Sequence, residues 1–153
     1  MTKNRIAQAD ASGGYSLVEL VIVMACATIL LAAAIPNIAG LQKEWAVWGS
    51  ARMLEASMQW GRMHAIASNT PVIFEVDITR ERFNWTDAIT GKCFVDSVRY
   101  LPRGTRIAAV PRRPVRFYQH GNAAPAGTYT IAGDAGSYSV VVSPGGRIRV
   151  KKN

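Results

Sequence analysis

Apolar residues dominate the chain from Leu17 to Ile35, where Glu19 is the one charged side chain. A helix of these 19 residues would be about 28 Å long, close to the thickness of a bilayer's hydrocarbon core. An unpaired carboxylate inside a bilayer costs on the order of 2.5–3.5 kcal/mol, so it is rarely kept without a partner cation or a function. The pattern predicts a membrane-length helix with a functional carboxylate near its start.

Beyond Pro36, apolar residues recur at steps of three and four, the spacing of one helix face. This apolar stripe comprises Val47, Ala51, Leu54, Met58, Gly61 and Ala65. Polar residues occupy the other faces, and Asn69-Thr70-Pro71 ends the pattern. We therefore predict an amphipathic continuation of the helix. Trp45, Trp48 and Trp60 could lie at a membrane interface or pack on the domain, and we expect core packing.

After Pro71 the period changes to two, and Gly and Pro clusters become frequent, as in antiparallel strands joined by turns. The predicted strands are Val72–Ile78, Arg82–Thr86, Thr105–Val110, Val115–Tyr118, Tyr129–Ala132, Tyr138–Val142 and Arg147–Val150. The predicted fold class is α+β. A long N-terminal helix, with a membrane-spanning half and an amphipathic half, precedes a small antiparallel β-sandwich.

The segment before the apolar run is polar and basic, and the run is not followed by a good small-x-small cleavage site. The nearest candidate, Ala32-Ala33-Ala34, is followed directly by an Ile-Pro pair, which makes it a poor signal-peptidase site. Cleavage after Gly14 would instead remove a short leader. It would leave Tyr15 as a new N-terminal ammonium with the helix still attached, and Glu19 as the fifth residue of the mature chain.

These residues resemble the N-terminal motif of type IV prepilins. Gly14 takes the cleavage position, Tyr15 takes the aromatic position after it, and Pro36 ends the apolar half of the helix. The resemblance implies cleavage by a prepilin peptidase, methylation of the Tyr15 amine, and packing with other pilins in a filament core. Glu19 would pair there with a Tyr15 ammonium. A plain membrane anchor is the alternative.

Periodicity and resemblance together divide the chain into four parts. These are a leader peptide at 1–14, a transmembrane or filament-core helix at 15–36, its amphipathic continuation at 37–69, and a periplasmic or extracellular β domain at 70–153 with a basic tail. The expected location is the inner membrane, with a single pass and a periplasmic domain, and then a pilus or pseudopilus at the cell surface. Cys26 lies within the apolar run and Cys93 far beyond it, so we expect both thiols to be free and partly buried.

Charge is distributed unevenly along the 153 residues, whose formal net charge is +8. Residues 99–153 hold ten Lys and Arg side chains against Asp134 alone, whereas residues 1–98 hold eight basic and nine acidic side chains. Positive charge concentrated in this way favours an anionic partner such as nucleic acid or lipid headgroups. A solvated basic surface that aids solubility is the alternative.

The basic tail has the alternation of a strand. In an extended chain, Ile148 and Val150 would face the core while Arg147, Arg149 and Lys151 share the opposite face, about 6.6 Å apart. Such a ladder can follow a phosphate backbone, and the neighbouring Lys152 adds charge. An edge strand protected from aggregation by its charges explains the same pattern.

The C-terminal half resembles the GspH/FimT branch of pilins in residues 114–121, 127–131 and 143–149. Within it, Gly146-Arg147-Ile148-Arg149 resembles the GRxR motif by which FimT-type minor pilins bind DNA during natural transformation. The resemblance implies a DNA-binding minor type IV pilin, with Arg147, Arg149, Lys151 and Lys152 as contacts. The alternative is a structural minor pseudopilin of a type II secretion system, similar to GspH, that has no ligand.

Catalytic and metal-binding patterns are weak in this sequence. His64 and His120 are single and lie outside any HExxH pattern, and no GxSxG or phosphate-binding glycine loop occurs. We therefore expect neither an enzyme nor a metal or other cofactor.

Overall fold

The structure, a computed structural model, describes residues 16–153, and it describes their side chains except for residues 33–39. Its single long helix, α1, runs from Leu17 to Ser68. The chain divides into two compact units, residues 1–38 and residues 39–153, and α1 contributes to both.

In the first unit, α1 presents apolar side chains to solvent. Leu17, Val21, Ile29 and Leu30 are all well exposed. Glu19 is also exposed and lies in the first turn, where the helix dipole favours a negative charge. Within the described residues, no helix combines the length and apolar character needed to cross a membrane.

In the second unit, α1 buries the predicted apolar stripe. Val47, Ala51, Leu54, Met58 and Ala65 are all almost completely inaccessible to solvent. The stripe prediction is therefore confirmed, and α1 supplies one wall of the core. The helix ends at Ser68, because Asn69 adopts a left-handed conformation with φ of 54°.

Two antiparallel sheets follow the helix. The first contains β1 (Val72–Asp77), β2 (Arg82–Asp87), β3 (Arg99–Tyr100), β5 (Arg116–Phe117) and β6 (Ala123–Ala124), in the order β3-β2-β1-β5-β6. The second contains β4 (Thr105–Ala109), β7 (Gly127–Gly133), β8 (Gly136–Val142) and β9 (Ile148–Lys152), in the order β4-β7-β8-β9. A short 3-10 turn spans Val95–Ser97. This arrangement confirms the predicted α+β class.

Aromatic rings fill the space between the helix and the sheets. The Phe74 ring of the first sheet lies 5.3 Å from the Tyr129 ring of the second and 4.8 Å from the Trp85 ring, measured between centroids. The buried Trp85 indole donates a hydrogen bond to Ser57 Oγ of α1 at 3.0 Å. One hydrophobic core thus joins both sheets to α1.

The three other tryptophans depart from expectation. Trp45 is 62% exposed, Trp60 44% and Trp48 38%, so the prediction that they pack in the core is wrong. The reason is their position on the helix, because the inward face is already occupied by smaller side chains and all three indoles lie on other faces. The two-residue strands β3 and β6 were also not predicted, because two residues carry no detectable period.

Candidate functional site

Strand β9 forms one edge of the second sheet and pairs with β8 alone. Ile148 and Val150 are half-buried and pack on the core, whereas Arg149 and Lys151 are exposed. Arg147 is also exposed and directly precedes the strand. The predicted alternation of apolar and basic residues is confirmed, so the cations line the solvent side of a sheet edge.

The β8–β9 turn fixes the position of Arg147 through its backbone. The Arg147 N–H donates to Ser143 Oγ at 3.1 Å, and the Ser143 N–H donates to the Arg147 carbonyl at 2.9 Å. Gly146 has φ of 75°, and a Cβ added there would overlap the carbonyl oxygen of Gly121. The turn is therefore packed tightly against the neighbouring turn that contains Gly121.

Arg62 of α1 lies beside the β8–β9 turn, close to Arg147. Its Nε donates to the Gly121 carbonyl at 2.8 Å, which leaves the rest of the guanidinium available. Arg62, Gln59 and Met63 line a cleft of about 310 Å³ together with the turn at residues 145–148. The sequence pattern put Arg62 on a polar face of the helix and no more. Its hydrogen bond to Gly121 joins residues 59 positions apart, and no local pattern predicts such a contact.

Lys152 lies apart from the other tail cations. It shares the helix-facing side of β9 with Ile148 and Val150, as alternation requires, and forms an ion pair with Glu44 of α1. The hydrogen bond to Glu44 and the charge of that carboxylate raise the pKa of Lys152. Of the four predicted DNA contacts, the structure brings together Arg147, Arg149 and Lys151, but places Lys152 on the opposite face.

The strands of the second sheet carry no carboxylate side chains, although the Glu81 carboxylate accepts from the Ile107 N–H at 2.7 Å and Asp134 lies near Arg106. Cross-strand partners share a face, so Lys151 lies in one row with Ser139 and Thr130, and Arg149 in the next row with Val141 and Thr128. A third row reaches Arg106 on β4, through Ala132 and Ser137. None of the four strands contains Asp or Glu.

Arg106 therefore stands on the same face as the basic edge of β9, but at the far side of the sheet. Three interstrand spacings of about 4.8 Å separate the two edges, or about 14 Å. Between them, the Ser137, Ser139 and Thr130 hydroxyls are hydrogen-bonded to Asn153 or to each other. We call this surface, with Arg106, Arg147, Arg149 and Lys151, the basic face.

Within residues 16–153, no ion pair neutralises the cations of the basic face. In residues 16–153, the cations that pair with carboxylates are Lys43, Arg52, Arg80, Arg82 and Lys152. Arg106, Arg147, Arg149 and Lys151 are absent from this set. Charged side chains without a carboxylate partner remain available to an external anion.

The remaining predicted sites lie elsewhere. Gly14 and Tyr15 fall outside the described residues, so the processing site and the pairing of Glu19 with the Tyr15 ammonium stay predictions. Cys26 and Cys93 are both free, and both are exposed rather than partly buried as expected. The His64 ring stacks on Trp60 with centroids 4.9 Å apart, and no cluster of potential metal ligands occurs among the residues described.

A long helix that carries two antiparallel sheets with its C-terminal half defines a pilin-type protein. The chain belongs to the GspH family, because the family model described as "Type II transport protein GspH" matches residues 50–146. The prokaryotic N-terminal methylation motif matches residues 10–35, which include the predicted cleavage position. The resemblance inferred from the sequence is thereby confirmed.

Two solved structures share the fold. The minor pseudopilin EpsH from the type II secretion system of Vibrio cholerae superposes with a TM-score of 0.58 at 15% identity, over 69% of this chain and 96% of that one. The type IV minor pilin FimU of Pseudomonas aeruginosa gives 0.56 at 16% identity, over 69% and 87%. No curated protein sequence matches the chain. The protein is therefore a pilin-type member of the GspH family that carries the prokaryotic N-terminal methylation motif.

Proposed function

We propose that this subunit is a FimT-type minor pilin that binds extracellular DNA through the basic face for uptake in natural transformation. The observation that carries the proposal is that Arg147, Arg149 and Lys151 line the β9 edge, are exposed and have no carboxylate partner among the described residues. Arg147 and Arg149 can each grip a phosphate in a two-pronged way. Backbone phosphates are the same in every sequence, so binding is largely independent of sequence.

The proposed route to the cell surface begins at the N-terminus. A prepilin peptidase cleaves after Gly14, Tyr15 is methylated, and the apolar part of α1 holds the subunit in the inner membrane until it enters a filament. The methylation-motif match over residues 10–35 supports this route. In the filament, Glu19 neutralises a Tyr15 ammonium, since a carboxylate in an apolar helix bundle needs a cation.

The test uses the full chain in detergent and a fluorescent DNA duplex. With about four to six phosphates contacted, log K should fall against log salt with a slope of about −4 to −5. Replacing Arg147 and Arg149 together by Gln should weaken binding and reduce the slope by up to about two units, because two phosphate contacts are lost. Both side chains are exposed, so the circular dichroism spectrum should not change.

A matched control removes the same charge from the first sheet. Lys92 and Arg99 are exposed, are absent from the ion pairs of residues 16–153, and lie on the β2–β3 side of the first sheet, so changing both to Gln should leave the salt slope within about half a unit of the parent. If the Arg147 and Arg149 variant binds DNA as tightly as the parent across the salt series, the DNA proposal is wrong.

A structural minor pseudopilin without a ligand is the second candidate. The observation in its favour is that β9 is an edge strand, where exposed Arg and Lys side chains prevent pairing with another sheet. On this alternative, the Arg147 and Arg149 variant aggregates at high concentration, whereas its DNA binding equals that of the parent. The two measurements together separate the candidates.

A further inference from the structure

Two glycine turns hold the Arg62 side chain of α1 in place. Gly121 and Gly146 both have a positive φ, and a Cβ built on them would lie 3.3 Å and 3.0 Å from the Arg62 Nε. That nitrogen donates to the Gly121 carbonyl at 2.8 Å. The fold therefore fixes this guanidinium, and little side-chain freedom remains to be lost when a ligand binds.

Most of the hydrogen-bonding capacity of Arg62 is unused by the protein. A guanidinium carries five N–H donors, and only the Nε donor of Arg62 has an acceptor among the described residues. The two terminal nitrogens can therefore donate, as a pair, to the oxygens of one anion. An arginine that only ties two turns together needs no more than the Nε bond, so the surroundings of the terminal nitrogens decide whether it also has a ligand.

These surroundings form a cleft whose lining favours an anion. The cleft, of about 310 Å³, is bordered by Gln59, Arg62 and Arg147, together with Met63 and the turn at residues 145–148. Its lining residues include two guanidiniums and one amide but no carboxylate. The Gln59 and Arg147 side chains are exposed, so their donors are accessible from the same cleft.

The carboxylate on the same face of α1 is already paired. Glu55 precedes Gln59 by four residues and Arg62 by seven, so the three share one side of the helix. Its Oε2 accepts from the Arg52 Nη1 at 2.6 Å, and it lies about 10 Å before Arg62 along the helix axis. In the described part of the chain, neither Arg62 nor Arg147 forms an ion pair, so their combined charge favours an external anion.

The position and size of the cleft indicate which anion fits. Arg147 borders the cleft and directly precedes β9, on which Arg149 and Lys151 follow at alternate positions. A polyanion that follows the β9 edge past Arg147 reaches the cleft with its next charged group. A cleft of about 310 Å³ is at the small end of ligand pockets, so it admits one phosphate with its sugar and not a base pair.

We propose that Arg62, Gln59 and Arg147 form a phosphate cleft, in which the terminal nitrogens of Arg62 hold one backbone phosphate of bound DNA. The phosphate cleft extends the DNA site from the β9 edge onto α1, and it rests on the proposed function. Phosphate contacts set the register and orientation of a protein on DNA. Because the fold holds Arg62, this contact is the fixed point of the interface.

The first test removes the charge of Arg62. In the full chain in detergent, Arg62→Gln should weaken binding of the fluorescent duplex about tenfold at roughly 0.1 M salt and reduce the salt slope by about one unit, because one phosphate contact is lost.

Arg99→Gln is the matched control for this test. The Arg99 guanidinium also donates to backbone carbonyls, those of Asp96 and Val98. It lies on β3, at the edge of the first sheet opposite to β6, and β6 contacts the β8–β9 turn. The control should therefore change duplex affinity less than about twofold.

The second test leaves Arg62 and its contacts with the turns untouched. Gln59→Glu puts a carboxylate beside the phosphate cleft, where it repels phosphate and competes for the guanidinium, so duplex affinity should fall at least about threefold. Gln42→Glu makes the same exchange at another exposed position of α1, about 25 Å away along the helix and beyond the screening length of about 10 Å. Its affinity should stay within about 1.5-fold of the parent. Circular dichroism confirms the fold of both variants.

A third measurement identifies the source of the phosphate. The Arg62 Nε–H signal in NMR spectra of the isotope-labelled chain, assigned by its loss in Arg62→Lys, should shift on titration with the duplex. Inorganic phosphate, or phosphatidylglycerol added to the micelles, should shift it less at the same phosphate concentration. A shift with either of these at least as large as with the duplex would overturn the proposal, because the cleft would then hold a free phosphate or a lipid headgroup.

The outcomes separate the phosphate cleft from DNA binding by the tail. If the Arg147 and Arg149 variant loses affinity while Arg62→Gln and Gln59→Glu bind like their controls, the phosphate cleft is wrong and the proposed function stands. A parent chain that does not bind the duplex would overturn both.

Discussion

At the scale of single residues, the β8–β9 turn shows how the basic face is built. Gly146 holds a positive φ that most residues avoid, and its neighbour Gly121 approaches so closely that no side chain fits between them. Arg147 follows at once, and its N–H is fixed by Ser143. Hydrogen bonds of the backbone, rather than an ion pair, therefore fix the position from which the Arg147 side chain extends.

We expect the buried Tyr129 to make the second unit less stable at alkaline pH. Burial raises the pKa of Tyr129 to about 12, and the hydrogen bond from the Val115 N–H, which favours the phenolate, offsets only part of this effect. In the unfolded chain the pKa is about 10, so between pH 10 and 12 the folded state holds a proton that the unfolded state has lost. We predict full stability from this group below about pH 10 and a loss of up to roughly 2 kcal/mol by pH 12.

The check compares the parent with Tyr129→Phe by chemical unfolding of the full chain at pH 8 and pH 11. The variant should be less stable at pH 8, because the Val115 N–H loses its acceptor in a buried site. At pH 11 the difference in the free energy of unfolding between parent and variant should be smaller, since the variant lacks the titrating group. A larger difference at pH 11 than at pH 8 would show that Tyr129 does not cause the loss of stability at alkaline pH.

At the scale of elements, the packing of α1 on β2 depends on Gly61. A Cβ at this position would overlap the six-membered ring of Trp85, which is fully buried and held by Ser57. We predict that Gly61→Ala lowers the free energy of unfolding by about 1–3 kcal/mol, because either the helix or the indole must shift. Urea unfolding of the full chain, followed by Trp fluorescence, measures the change.

Gly49 provides the control for this prediction. It lies in the same helix, and a Cβ added there meets no atom within 4 Å. Gly49→Ala should stabilise the chain by up to about 1 kcal/mol, since Ala is the better helix former. If both alanine variants are stabilised alike, the close approach of Gly61 to Trp85 does not constrain the fold.

At the scale of the whole molecule, the second unit separates two surfaces. The basic face lies on the solvent side of the second sheet, whereas the exposed Trp45 and Trp48 of α1 lie near the opposite side of that sheet, beside Tyr138. DNA bound as we propose would therefore leave these indoles uncovered.

Cleavage and methylation of the N-terminus form a further prediction, which concerns residues outside the described part of the chain. We expect the mature protein to begin at Tyr15 and to carry a methyl group on its amine. Intact-mass measurement and N-terminal sequencing of protein from a host with a prepilin peptidase check both points. A mature chain that starts at Met1, or beyond Ile35, would contradict the prediction.

Local patterns were enough for most of the fold. The apolar stripe of α1 became a buried helix face, and each of the seven predicted strands overlaps an observed one, because period and turn residues are local properties. The same reasoning placed Arg149 and Lys151 on the exposed face of β9. It failed for Trp45, Trp48 and Trp60, since residue type alone does not tell which side of a helix meets the core.

By itself, the sequence determined the pilin-type class, the order of helix and strands, and the alternation of the basic tail, because each is written in neighbouring residues. Only the tertiary structure decided which distant residues meet. It moved Lys152 away from the other cations by pairing it with Glu44, 108 residues earlier, and it brought Arg62 to the β8–β9 turn and Arg106 onto the face of Arg149. Such contacts follow from sheet order and helix packing, which no local pattern encodes.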